Sequence, residues 1–305
     1  MTDMKSKGTV GVVGLGIMGG AFAKNLAEAG WRVIGYDIDA RRCRALAKRG
    51  VEIASDARDV AAKAPVIITS LPNPRALMDT VKAIAAAKVR NRVVIEASTF
   101  AIRDKIAAEA VCAKAGHRLC DCPVSGTGAQ AQVKDIIIYA SGYSQPIRRL
   151  RPMFKDFARA VYDLGEFGNG SKMKYVANLL VAINNVASAE AMVLGMKAGL
   201  DPQMVHDMVV GGAANSRVFE LRAPMMVANR YDNATMKIDV WQKDMAVIGD
   251  FANQMRVPTP MFDASAPVYA KAMKTGHAMH DTAAVCAVLE KMAGVKRGKT
   301  RKRRH

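Results

Sequence analysis

The feature that most constrains this chain is a glycine pattern set between a strand-like run and a helix-like run. Thr9–Gly14 (TVGVVG) is β-branched and ends in glycine, and Ile17–Ala29 carries apolar residues at helical spacing up to Gly30. Gly14, Leu15, Gly16, Ile17, Met18 and Gly19 join the two as GxGxxG. Strand, turn and helix in this order form a dinucleotide fingerprint. The first glycine permits the tight turn, the second lets a pyrophosphate approach the backbone, and the third lets helix and strand pack closely. Amides at the helix start, near Ile17 and Met18, are placed to meet phosphates. The fingerprint also requires an acidic residue about twenty positions on, and Asp37 ends the second strand-like run, Arg32–Asp37. A carboxylate there accepts hydrogen bonds from a ribose 2′-hydroxyl and repels a 2′-phosphate, which favours NAD. Arg41, Arg42 and Arg44 follow closely and could hold a phosphate, so NADP stays open.

The alternation continues through the first half. Pro65–Ser70, Arg92–Glu96, His117–Cys122, Ile136–Ala140 and Ala160–Asp163 read as further strands, with helical segments such as Ala40–Arg49 between them. Such alternation predicts βαβ units and a parallel sheet covered by helices on both faces. After Gly170 the strand signal stops. Ser171–Ala198, Gln203–Val210, Val240–Met255, Pro260–Thr275 and Thr282–Met292 all carry helical periodicity. The expected organisation is therefore an α/β Rossmann-type dinucleotide-binding domain over residues 1–165, an all-helical domain for substrate and oligomerisation over 166–295, and a basic disordered tail over 296–305.

Charge follows the same divisions. Residues 1–165 hold 26 Lys/Arg against 15 Asp/Glu, residues 166–295 hold 12 against 12, and the last ten residues hold seven Lys/Arg and no acid. A basic first half suits an anionic ligand and also suits weak, non-specific nucleic-acid association, for which the tail is the obvious contact. No run reaches the roughly 18 uninterrupted apolar residues of a membrane span. The polar start MTDMKSKGTV shows no signal peptide. Five unpatterned cysteines (Cys43, Cys112, Cys120, Cys122, Cys286) read as reduced thiols, which together points to a cytoplasmic protein.

Three further segments look chemical. Asp121–Gly128 (DCPVSGTG) follows a strand, and its glycines let a ligand lie against backbone amides beside the Ser125 hydroxyl; from the residues alone a plain turn is the favoured explanation. In GNGSKMKYVAN (168–178), Lys174 and Asn178 are four apart on one helix face, whereas Lys172 points elsewhere, into solvent. Desolvation would make Lys174 a usable acid–base group. Lys243-Asp244 interrupts an apolar helix, and the His277/His280 pair lacks a third ligand, so no metal site is expected.

Taken together, these segments resemble the β-hydroxyacid dehydrogenase family, over residues 9 to about 290. GLGIMGGAFAKNL (14–26) is similar to its cofactor fingerprint and DCPVSGTG (121–128) to its substrate loop. GNGSKMKYVANLL (168–180) resembles its catalytic helix, and KD (243–244) its C-terminal cofactor motif. The resemblance implies that Lys174 is the catalytic acid–base and that Asn178 and Ser125, with Gly126 and Thr127, hold a small anionic hydroxy acid. It implies that Leu71, Pro72, Thr99 and Lys243 contact the cofactor. It also implies hydride transfer at a domain cleft and a homodimer or homotetramer built around the helical domains. Thr127, Gln130 and Lys134 replace residues that are usually glycine in the family loop, which leaves the substrate open. Ala177 stands where decarboxylating members carry histidine, and Lys174 argues against the imine reductases of the superfamily, which lack it. The rival expectation is a non-catalytic or moonlighting nucleic-acid-binding relative, suggested by the basic segments and opposed by Lys174.

Overall fold

The computed structural model describes residues 6–297, so all of the expected tail from residue 298 onward lies outside the described residues. The chain divides into two compact units, one up to Tyr175 and one from Val176.

In the first unit, β1 (Thr9–Val13), β2 (Arg32–Tyr36), β3 (Glu52–Ile53), β4 (Val66–Thr69), β5 (Val93–Glu96) and β6 (Arg118–Asp121) form an all-parallel sheet in the order β3-β2-β1-β4-β5-β6. Every residue of β4 and β5 is buried, as expected of strands covered on both faces. Alternate side chains serve two cores. Val10, Val12, Val33, Ile68 and Ile95 pack with Phe22 and Leu26, while Val13, Ile34, Ile67, Val94 and Leu119 pack with Val60, Leu77 and Phe100. The connecting helices are α1 (Ile17–Glu28), α2 (Ala40–Ala47), α3 (Ala57–Lys63), α4 (Pro74–Ala85) and α5 (Ile102–Lys114). From β1 the chain runs outward through β2 and β3, then returns to place β4 on the other side of β1. Strand order thus reverses between β1 and β4, and in open α/β sheets ligands bind beyond the strand ends at such a point.

The sequence reading put the last two strand-like runs into this parallel sheet. The structure places them elsewhere. β7 (Val124–Ser125), β8 (Ile137–Ala140) and β9 (Ala160–Asp163) form a separate sheet, with β7 antiparallel to β8 and β8 parallel to β9. β3 and β7 are two residues long, too short to show a period, and β7 lies between Pro123 and Gly126. A bridge between Asp121 and Ser141 joins the ends of β6 and β8. Two short connections, α6 (Gly128–Gln132) and α7 (Ser144–Lys155), complete this part.

The second unit is helical. α8 (Asn169–Lys197) starts in the first unit and continues into the second, followed by α9 (Pro202–Val210), α10 (Arg217–Ala228), α11 (Ile238–Met255), α12 (Pro260–Lys274), a 3-10 turn (Thr282–Ala284) and α13 (Val285–Ala293). The division falls inside α8 because its first turn is bonded to the sheets. The Gly170 amide donates to Ser141 Oγ at 2.9 Å and the Ser171 amide to Asp121 Oδ2 at 2.8 Å. α10 escaped the sequence reading because Pro224, which sits inside it, ordinarily marks a helix end. By length and composition alone α8 could cross a membrane. In the structure its Asn185 Nδ2 donates to the Tyr269 hydroxyl at 2.9 Å and to the Thr282 carbonyl at 3.0 Å, both in the second unit. α8 is a core helix.

Asp281 caps the 3-10 turn and also holds Arg222 at 2.8 Å. His277 and His280 meet at 2.9 Å, and no group of three metal-ligating side chains occurs among the described residues. Arg297, which the sequence reading assigned to a disordered tail, is docked. It pairs with Glu290 and donates to the Met226 and Val227 carbonyls at the end of α10, where the last carbonyls of a helix lack the usual amide donors of a following turn.

Candidate active site

The glycine turn is built as its sequence requires. Gly14 has φ +90°, and a Cβ there would lie 2.1 Å from the Ser70 carbonyl oxygen; a Cβ on Gly19 would lie 1.9 Å from that of Gly14. Both glycines are therefore fixed by backbone packing. Gly16 is different. A Cβ there would meet only Arg42 Nη1 at 3.5 Å, an ordinary contact, so protein packing does not demand glycine. The open approach fits a pyrophosphate lying on the turn. The N-cap of α1 is Gly16 itself, which supplies no side-chain acceptor, and the first turn carries no acid. Amides at such a helix start suit an anion. Leu15 is buried, whereas Ile17 is exposed and Met18 partly so.

Asp37 stands just past β2 and is buried. Its Oδ2 accepts from the Leu15 amide at 2.7 Å, its Oδ1 from the Asp39 amide at 2.8 Å, and Arg42 approaches Oδ2 at 3.3 Å. The carboxylate thus ties the end of β2 to the glycine turn. Arg41 pairs with Asp39 at 3.0 Å, which together with the nearby amide holds that carboxyl at about 2. Ile38, between the two acids, is 91% exposed, and nothing in its sequence context marks it out.

The other first-unit residues come from the same strand ends. Leu71 and Pro72 follow β4, and the Leu71 amide donates to Ser98 Oγ at 2.9 Å, one residue before Thr99. Ser125 lies in β7, paired with Ile137. Gly126 has φ +138° and faces Ile136, where a side chain would collide. Thr127 caps α6 in a capping box: its hydroxyl and amide are both bonded to Gln130. Gln130, a departure from the family loop, is thereby explained as a helix-start device. The loop sits on the glycine turn and α1, since a Cβ on Gly128 would fall 2.2 Å from Ile17 Cγ2, and Asn25 of α1 donates to the Ala131 carbonyl at 2.8 Å.

On α8, Lys174 and Asn178 are both buried, at 8% and 4% exposure, while Lys172 is exposed and donates to Asn169 at 3.0 Å. The helical phase inferred from spacing is the observed one. In the second unit Asn178 Nδ2 donates to Asp244 Oδ2 at 2.9 Å, and Lys243 Nζ lies 3.2 Å from Asp244 Oδ1. Asp244 therefore orients two of the expected functional residues, a role the sequence did not disclose.

The sequence also missed a buried ion cluster in the first unit. Lys105 of α5 reaches Glu96 at 2.6 Å and Asp121 at 2.7 Å, and all three are fully buried. The two carboxylates raise the Lys105 pKa against the effect of its burial, which holds the ammonium charged. In sequence, Lys105 looks like any charged residue on a surface helix.

Known proteins can be set against this geometry. Residues 9–165 match the NAD binding domain of 6-phosphogluconate dehydrogenase, and residues 168–289 match the domain described as NAD-binding of NADP-dependent 3-hydroxyisobutyrate dehydrogenase. L-threonate dehydrogenase of Escherichia coli is 30% identical over 92% of this chain and 94% of its own length. The chain belongs to the β-hydroxyacid dehydrogenase family. L-threonate dehydrogenase of Cupriavidus necator is 29% identical, covering 92% of this chain and 95% of its own. The 3-hydroxyisobutyrate dehydrogenase structure from Salmonella typhimurium superposes with a TM-score of 0.84 at 28% identity, over 92% of this chain and 99% of that one. As a β-hydroxyacid dehydrogenase the protein is an NAD(P)-dependent oxidoreductase, and these matches give the non-catalytic nucleic-acid-binding reading no support.

Proposed function

We propose that the protein oxidises the secondary or primary alcohol of a small β-hydroxy acid, of the threonate, glycerate or 3-hydroxyisobutyrate kind, with Lys174 as acid–base. The observation that carries this is the burial of Lys174 on the α8 face that also carries Asn178. A surface lysine would be expected in solvent. Relatives named for L-threonate and for 2-(hydroxymethyl)glutarate support the substrate class. Bound nicotinamide supplies the hydride acceptor. Lys174 Nζ, in its neutral form, takes the hydroxyl proton as the carbinol hydrogen leaves with its electron pair, and it returns that proton in the reverse direction. Asn178 and Ser125, with the backbone at Gly126 and Thr127, hold the carboxylate and hydroxyl. Gly14–Gly19, Leu71, Pro72, Thr99 and Lys243 hold the cofactor. A panel of β-hydroxy acids assayed with NAD and with NADP tests the reading; no turnover across the panel overturns it.

NAD is the preferred form in this proposal. Arg41 and Arg42 are already bonded to Asp39 and Asp37, so a 2′-phosphate would have to displace carboxylates, whereas a ribose diol adds to them. The expected result is a kcat/KM at least about tenfold higher with NAD than with NADP, roughly 1.4 kcal/mol of discrimination. Equal or better values with NADP contradict it.

We further infer a homodimer or homotetramer built on the helical unit, working in the cytoplasm. α9 is apolar yet buries none of its residues, and Met204 and Met208 on it are 50% and 69% exposed. Such surface ordinarily meets a partner. Light scattering should give a mass of two or four chains, and a Met204→Lys, Met208→Lys variant should fall toward one. Five buried free thiols suit a reducing compartment.

A further inference from the structure

The fully buried Lys105 cluster does more than fill the core, because the residues bonded to it lead to two different parts of the proposed site. On one side Glu96 Oε1 accepts from the Ser98 amide at 2.9 Å, and Ser98 Oγ accepts from the Leu71 amide at 2.9 Å. Leu71 begins the cofactor loop that follows β4. On the other side Asp121 Oδ1 accepts from Ser171 Oγ at 2.8 Å, and Asp121 Oδ2 from the Ser171 amide at 2.8 Å. Ser171 lies in the first turn of α8, three residues before Lys174, so fixing it fixes the start of the helix that carries the acid–base. Asp121 also supplies, from outside the helix, an acceptor for one of the orphan amides at its N-terminus. Ser141 ties in the second sheet, donating to Asp121 and accepting from the Gly170 amide at 2.9 Å.

We infer that Lys105 is a positioning residue: through Glu96 and Asp121 it locks the cofactor loop at Leu71 and the first turn of the Lys174 helix into one rigid frame. This rests on the proposed role of Lys174. Two carboxylates at the ends of β5 and β6 would repel each other in a buried site, and the ammonium between them makes their closeness favourable. The device suits hydride transfer, which falls off steeply when donor and acceptor are misplaced by about an ångström.

Lys105→Met alone leaves two buried carboxylates without a counter-charge and is expected to unfold the unit. The informative variant is Lys105→Met with Glu96→Gln, which removes one charge of each sign and leaves the bonds between Asp121 and Ser171 in place. It should fold, bind NAD with a Kd within about twofold of the wild type, and lose kcat by about tenfold or more. Hydrogen exchange supplies a readout that needs no substrate. Amides at Leu71 and at Ser171–Lys174 should exchange at least about tenfold faster, with β1 and β2 unchanged. Ser171→Ala, which keeps the ion cluster intact, should speed exchange in the first turn of α8 and lower kcat in the same direction. A folded paired variant with wild-type kcat, or with wild-type exchange at Leu71 or Ser171, overturns the inference; if the pair fails to fold, unchanged kcat and exchange in Ser171→Ala overturn it. If the wild-type protein turns over no hydroxy acid, the proposed function fails, and the exchange measurements alone decide whether the frame exists.

Discussion

Replacing Lys174 with alanine should lower kcat by about 10²–10⁴, the usual range for a positioned acid–base group, while NAD still binds. The separation follows from where the parts lie. The glycine turn and Asp37 are fixed by their own backbone contacts, Gly14 against Ser70 and Asp37 against the Leu15 amide, and none of these involves Lys174. Loss of turnover with an unchanged Kd for NAD, measured by fluorescence titration, is the expected pair of results. Lys172→Ala serves as the control, because its side chain is exposed and bonded only locally to Asn169. Near-normal turnover in Lys174→Ala contradicts the assigned role.

Gly19→Ala is the second large effect. Its new methyl would lie 1.9 Å from the Gly14 carbonyl oxygen and 3.2 Å from Ser70 Cβ. The first of these neighbours is backbone, which cannot rotate away as a flexible side chain could, so the start of α1 must move off the turn. The Kd for NAD should rise by about 10² or more, equivalent to roughly 2.7 kcal/mol. Gly30→Ala and Gly20→Ala make useful contrasts. Gly30 has open space around it but φ +91°, so alanine there should strain the chain without touching the cofactor turn; Gly20 meets the Leu15 carbonyl oxygen at 3.1 Å, an intermediate case. A Gly19→Ala protein that binds NAD normally would show that the turn tolerates displacement.

The residues that were legible in the sequence are those whose type is demanded locally. Gly14 and Gly19 are required by the chain's own geometry, Asp37 by its place after β2, and the Lys174–Asn178 face by helical periodicity. What stayed hidden depends on contacts between elements far apart in sequence. Glu96, Lys105 and Asp121 come from β5, α5 and β6 and show their roles only when the strand ends meet. Asp244 gains meaning from Asn178, 66 residues away. The second sheet was missed for a different reason: β7 has two residues, and periodicity needs more. α10 was hidden by Pro224, and the docking of Arg297 by the run of basic residues around it. Thr127 carries a second, local signal beside the one the resemblance gives it: with Gln130 three residues later it spells a capping box, which the structure forms.

The central claim is direct hydride transfer from a hydroxy acid to the nicotinamide, with the hydroxyl proton going to the protein. Its most direct test uses a substrate from the β-hydroxy acid panel that carries deuterium on the carbinol carbon. Mass spectrometry of the reduced cofactor should find one deuterium per turnover and none exchanged to water, with a primary isotope effect on the single-turnover rate. Reduced cofactor without deuterium, or label lost to solvent during turnover, contradicts the account.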